Sequence, residues 1–427
     1  MQSFLATERA GAILLLGAAV AALVWANSPL SGSYERLWHT PLTIGLGPWS
    51  VSEDLRHWIN DALMALFFYV VGLEIKRELV SGDLRNPRAA VLPLVGALGG
   101  MVVPAAVFLA FNAGGDGANG WGIPMATDIA FAVGVLAIVA KSLPSSLKSF
   151  LLTLAIVDDI GAIAVIAVFY SGGISLVALG LAAAGLGLIA ILQRLDVRWT
   201  AIYVALGIAV WFATFASGVH ATIAGVALGL LTPAVPFQRP RTVSDEAQRV
   251  ADETLDDPEP PDADAHSWLH LAALSREAVS PLARAEHLLH PWTSYVVIPL
   301  FALANAGVAL NGPALRDAVT SPVALGIVAG LVVGKTFGIG FSSLVAIRIG
   351  LATMPRGVTS RQIFGVAAIA GIGFTVSLFI TGLAFSEPDV EAAAKVGILA
   401  ASVIAGVVGA AILLGSTKPR SQEGEVA

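Results

Sequence analysis

The chain has 427 residues, 56% of them hydrophobic and only 13% charged, with a mean hydropathy of +0.80 and a formal net charge of −6. Globular domains carry about 25% charged residues, so an ordinary soluble core is excluded and the composition is that of a polytopic membrane protein. With no cysteine, disulfides and thiolate metal sites are excluded; no basic patch suited to nucleic acid appears.

A bilayer crossing needs about 20 apolar residues. Twelve candidates follow in chain order, at about 10–29, 58–80, 89–111, 119–140, 147–171, 174–193, 199–217, 219–233, 292–311, 322–347, 360–385 and 390–415. The first follows a weakly basic start and reads as a retained crossing, not a cleaved signal. Backbone polar groups in lipid must be satisfied within the chain, so the crossings are helices and the fold class is an all-α polytopic bundle. The 44 glycines suit helices packed closely through small residues. If the N-terminus is cytoplasmic, 19 of the 24 Lys and Arg residues fall in inner segments. The outer segments hold only Arg36, Arg56, Arg316 and Lys395, and Lys335 lies within a crossing. That bias predicts both termini inside.

Two connections stand out. Residues 40–51, "TPLTIGLGPWSV", alternate partly like strands around a Gly-Leu-Gly-Pro turn, which suits a small external β-hairpin or an ordinary loop. Residues 238–266, "QRPRTVSDEAQRVADETLDDPEPPDADAH", are acidic and proline-rich. They predict a disordered cytoplasmic insert, extending to about 238–275. The remainder of 1–427 reads as a single transmembrane domain with a cytoplasmic tail at 416–427.

Few ionisable residues lie inside the crossings: Asp128, Asp158, Asp159, His220 and Lys335, with Asp61 and Glu74 in the crossing that ends at Lys76 and Arg77. Charges at membrane depth usually face a bundle interior or a water-filled cavity. Asp158 and Asp159 sit in "LLTLAIVDDIGAIAVIAVFY". Neighbouring helical residues point about 100° apart, so one can face a cavity and the other its wall. Burial and mutual repulsion both favour protonated carboxyls. A cation entering would compete with those protons, which is the physical content of exchange. The structural alternative is a pair neutralised by a salt bridge or kept protonated as packing.

Lys335 is about twelve residues, roughly 18 Å, from either end of its helix. Its stem cannot snorkel that far, so it needs an internal carboxylate, a carbonyl cluster or deprotonation, as a structural counter-ion or as a participant in transport. Asp128 follows Gly122, Pro124 and Thr127 in "NGWGIPMATDIAFAVGVLAIVA", which reads as a helix broken at mid-membrane or a plain proline kink. "FGVAAIAGIGFTVSLFITG" carries a second candidate break at Gly371-Ile-Gly373. If two broken helices cross, like ends meet: an aspartate offsets paired N-termini and a lysine paired C-termini. Asp128 and Lys335 are the residues available.

The motifs "ATDIAFAVGVLA", "LAIVDDIGAIAVIAVFYS", "INDALMALFFYVVGLEIKREL", "SGVHATIAGVALG" and "AEHLLHPWTSYVVIPLFALANAG" closely resemble the bacterial NhaA sodium/proton antiporters, themselves a known example of inverted-repeat transporters with broken helices. The resemblance covers roughly residues 8–415; the acidic insert departs from the usual short loop. It implies inverted repeats with two crossed discontinuous helices, the fourth and eleventh crossings. It implies Asp158 and Asp159 as the ion- and proton-binding pair, holding the transported sodium. Asp128 and Lys335 become dipole-compensating residues, Lys335 also a candidate proton carrier, with Thr127 at the unwound crossing. Glu74, Arg77, Glu286, His287 and His290 match positions linked to pH response. Bland alternatives stand beside these: Glu74 and Arg77 as a pair at a helix end, and His287 and His290 as interface residues on a short helix before Pro291. His220 and Asp61 are expected to be modulatory, with a structural role the alternative for His220.

The implied activity is exchange of one sodium, or lithium, for two protons across the bacterial inner membrane. It is electrogenic, activated at alkaline pH, and serves sodium and pH homeostasis. No enzyme activity and no cofactor are expected. The lipid bilayer is the partner, along with a second copy joined through residues 40–51. A cation channel, which needs rings or filters of ligands, and a sodium-coupled organic-anion carrier are the alternatives. An intramembrane aspartyl protease fits poorly, because its two carboxyls must share a proton face to face and adjacent residues of one helix diverge.

Overall fold

The computed structural model describes residues 2–46, 49–139, 143–256 and 261–416. Helix α1 (Gln2–Ala26) leads to the short α2 (Ser31–Trp38) and an antiparallel hairpin of β1 (Pro41–Leu46) and β2 (Trp49–Asp54). Pro41 stands opposite Asp54 and Leu46 opposite Trp49, so the hairpin extends beyond the expected residue 51; its tip at Gly47 and Pro48 lies outside the described residues. Asp54 ends the hairpin and starts the next helix, its carboxylate accepting from the His57 backbone N–H at 2.8 Å. Then come α3 (Leu55–Ser81), α4 (Pro87–Asn112), a 3-10 helix (Asp116–Met125), α5 (Ile129–Val139), α6 (Ser145–Phe169), α7 (Leu176–Arg194), α8 (Thr200–Ala216) and α9 (Thr222–Leu231). After α10 (Pro240–Asp256) and α11 (Pro261–Glu277), helix α12 runs over 281–305. The chain ends with α13 (Gly312–Thr320), α14 (Pro322–Arg348), α15 (Ser360–Ile369), α16 (Phe374–Ala384) and α17 (Pro388–Leu414).

Among the described residues, six helices are long and apolar enough to cross a bilayer, and up to nine if each of three bent pairs is one crossing. Helices α8 and α9, at 17 and 10 residues, are apolar but shorter than a full crossing. Two of the bent pairs are the expected broken helices. The 3-10 helix and α5 bend by 43° across 126–128, and α15 and α16 by 49° across 370–373. The first half of the earlier pair is 3-10 rather than α, as its glycines and Pro124 favour. Helices α4 and α14 pack closely at Gly99 and Gly338, where a Cβ on Gly338 would meet Gly99 O at 2.3 Å.

Two expectations need correction, and one residue is placed more closely. The segment 238–275 is not structureless: it forms α10 and α11, which pack on each other. Val243, Ala247 and the buried Val250 recur at helical spacing on one face, and each helix begins with a proline at its first position, where no N–H is needed. Composition alone reads the charges and misses that stripe. Lys395, counted with the outer segments, lies two turns inside α17, buried and paired with Glu391 Oε1 at 2.7 Å. Finally, Pro291 does not end a short helix. Helix α12 continues through it into a π turn at Thr293–Val297. The tail beyond Ser416 lies outside the described residues.

The insert is fastened at its base. The backbone N–H groups of Phe237 and Gln238 both donate to Glu277 O at 3.1 Å. Arg198, before α8, donates to Glu277 Oε2 at 2.8 Å and stacks 5.1 Å over the Phe237 ring. The Arg198 hydrogen bond holds the Glu277 carboxyl below its ordinary value.

Candidate functional site

Helix α6 buries two carboxylates on an otherwise largely apolar face, Asp158 and Asp159, which are 1% and 5% exposed. Such burial is costly unless the charge is met. Lys335, wholly buried in α14, meets it: Nζ donates to Asp158 Oδ2 at 2.5 Å and to Thr127 Oγ1 at 2.9 Å. The second oxygen, Asp158 Oδ1, has no hydrogen-bond partner among the described residues. Asp159 points elsewhere on the helix, within electrostatic reach of Asp158, Glu74 from α3, Lys335 and Asp128.

The two breaks meet beside this pair. Thr127 Oγ1 donates to Ala370 O at 2.8 Å, and Asp128 N donates to Ile372 O at 2.6 Å. Asp128 then caps two helices at once. Its Oδ1 accepts from Phe131 N at 3.0 Å, in the first turn of α5. Its Oδ2 accepts from Thr375 N at 3.0 Å and Thr375 Oγ1 at 2.8 Å, in the first turn of α16. A carboxylate at paired N-termini complements both dipoles. Thr127 in turn links the Lys335 ammonium to the Ala370 carbonyl at the C-terminal end of α15, where positive charge is favoured. Thr375, and Ser377, whose Oγ donates to Ile123 O at 2.8 Å, escaped the sequence reading; the signal available for Thr375 was its place two residues after the Gly373 break.

The remaining predicted residues form two other groups. Asp61 and His220 come together on the hairpin side, Asp61 Oδ1 lying 3.7 Å from His220 Nε2, with the imidazole edge-on to Phe379 and 3.2 Å from Thr222 Oγ1. The Arg77 guanidinium bonds Glu286 of α12. His287 is exposed and His290 half-buried on that helix.

Comparison with known proteins is consistent along the chain. The family model described as Na+/H+ antiporter 1 matches residues 2–413. The "Na(+)/H(+) antiporter NhaA 2" of Sorangium cellulosum (strain So ce56) is 46% identical over 419 residues, covering 96% of this chain and 89% of that one. The "Na(+)/H(+) antiporter NhaA 3" of Frankia alni (strain DSM 45986 / CECT 9034 / ACN14a) is 47% identical over 426 residues, covering 98% and 89%. The "Na(+)/H(+) antiporter NhaA" of Anaeromyxobacter sp. (strain Fw109-5) is 48% identical over 418 residues, covering 97% and 90%. With a matching model over nearly its whole length and relatives this similar, the chain belongs to the Na+/H+ antiporter 1 family.

Proposed function

We propose that this protein exchanges sodium, or lithium, for protons across the bacterial inner membrane, at Asp158 and Asp159. One observation carries the reading: a buried carboxylate holds an ammonium on one oxygen while its other oxygen has no partner among the described residues. A cation reaching Asp158 Oδ1 competes with the Lys335 ammonium for the same buried carboxylate, where charges attract strongly. Its arrival weakens the hold on Lys335, and protons held by the carboxyls must leave before the cation is bound. Cation and protons are thus alternative occupants, as exchange requires. Asp128, Thr127 and Lys335 keep the helix ends at the breaks compensated.

On this reading the chain crosses the membrane twelve times, through α1, α3, α4, the 3-10/α5 pair, α6, α7, α8, α9, α12, α14, the α15/α16 pair and α17. The two broken helices cross each other, which the bonds from Thr127 and Asp128 to 370–372 support. Both termini and the α10–α11 insert face the cytoplasm; the hairpin faces outward and joins two copies. The whole chain then acts as one transport domain. Glu74, Arg77, Glu286, His287 and His290 form the pH-responsive group at the cytoplasmic side, and Asp61 with His220 modulates the outer side. The test is purified protein in liposomes with an imposed pH gradient. Sodium and lithium should collapse the gradient, while potassium and choline should not; an equal response to all four cations would refute the exchange.

A further inference from the structure

Helix α14 is not regular. Between Ala329 and Gly334 it makes a π turn, which accommodates one extra residue by hydrogen bonding five residues apart. The backbone N–H of Lys335 accordingly reaches Gly330 O, not Leu331 O, its partner in an α-helix. Lys335 is therefore the first residue beyond the turn, and the turn decides where it points. Residues advance about 100° each around a helix. Closing the turn with every residue kept would swing Lys335 by about that angle relative to the preceding half of α14, off Asp158 and Thr127.

Close packing holds the turn in place. Gly330 and Gly334 are both buried. A Cβ on Gly330 would lie 2.7 Å from Pro124 Cβ and 3.2 Å from Pro104 O. One on Gly334 would lie 2.7 Å from Pro104 Cα. Leu331 O, released from Lys335 N–H, would lie 2.3 Å from a Cβ on Gly371. The turn thus touches the first broken helix at Pro124 and the second break at Gly371, and it ends on the ammonium.

We propose that Gly330 and Gly334 are positioning residues for the exchange: lacking side chains, they let the π turn seat against Pro104 and Pro124, and that seat aims Lys335 Nζ at Asp158. The inference rests on reading Asp158 and Lys335 as the exchange site. Gly330→Ala and Gly334→Ala test it, with Gly338→Ala as the comparison. Gly338 packs on the same helix α4, more tightly still, with a Cβ there 2.3 Å from Gly99 O, one turn further on where α14 is regular. The readouts are apparent KM for sodium and the pH profile of exchange, taken on folded protein in liposomes. Both turn variants should change KM about threefold or more and shift the pH profile, because Asp158 loses its fixed partner. Gly338→Ala should lower the amount of folded protein but move neither readout. Wild-type KM and pH profile in the folded turn variants, or equal shifts from Gly338→Ala, would overturn the proposal. Lys335→Gln separates the two levels: if it moves neither readout, the site reading fails; if it moves both and the glycine variants move none, only the positioning fails. Should neither turn variant fold, hydrogen exchange of the wild-type protein decides. Sodium should raise deuterium uptake over 329–336 and not over 337–348; uptake over 329–336 unchanged by sodium would overturn the proposal.

Discussion

Asp158 and Asp159 are adjacent in the chain but differ in surroundings: Asp158 shares its charge with Lys335 and Thr127, while Asp159 faces further carboxylates. Asp158→Asn and Asp159→Asn are each expected to abolish sodium-driven proton movement while insertion and folding stay near normal, since a carboxamide is nearly isosteric but releases no proton. Wild-type exchange in both variants would sink the site assignment. Asp128 is expected to behave differently, because its work is capping two helices. Asn offers one acceptor oxygen where Asp128 uses two, so Asp128→Asn should keep one cap and lose the other, at a cost of about 1 kcal/mol. Asp128→Ala strips both caps and leaves Thr375 Oγ1 without this acceptor, a loss of about 2 kcal/mol that thermal melting in detergent would register. Equal melting of the two variants would contradict the double cap. These aspartates and Lys335 were legible as charges in apolar runs. Their partners were not: Thr375 lies 247 positions from Asp128, and a hydroxyl in an apolar helix commonly bonds only its own backbone.

At the scale of elements, the broken helices showed in advance through glycine and proline, whereas the π turns did not. A helix with one extra residue in a turn keeps the same composition, and only its hydrogen bonds reveal it. The insert helices were hidden by charge, their apolar stripe being too narrow to outweigh the acidic residues around it. Deleting 243–265 is expected to leave exchange intact at saturating sodium. The Arg198, Phe237, Gln238 and Glu277 contacts that fasten the base lie outside the deletion. Total loss of exchange in a correctly inserted deletion protein would make the insert a working part. The fastening itself is pH-dependent. Glu277 is held below its ordinary value of 4.5, so its contribution is complete above that value and is lost as pH falls through the lower folded value. Proteolytic nicking of the insert should therefore accelerate below about pH 4.5, and Glu277→Gln should weaken that dependence, leaving the share of Glu246, which Arg249 also holds below its ordinary value. A wild-type nicking rate flat across that range would contradict it.

For the whole molecule, composition alone was enough to read the polytopic class. The short α8 and α9 and the turn within α12 depend on packing between helices, which a window of hydropathy does not register. Exchange of one cation for two protons moves net charge, so its rate should follow the membrane potential. With potential set by a potassium gradient and valinomycin, rates indifferent to it would refute electrogenic exchange. Lys335→Gln should remain electrogenic but melt at lower temperature. Through Thr127 the ammonium serves the C-terminal end of α15, a structural reason to stay charged; an electroneutral Lys335→Gln protein would instead make the lysine the second proton carrier. The most direct measurement is proton release from purified protein in weakly buffered detergent on adding sodium. Wild-type protein should release protons in step with sodium binding, and Asp158→Asn should release none. Sodium binding without proton release, or the same release from Asp158→Asn, would contradict competition at Asp158.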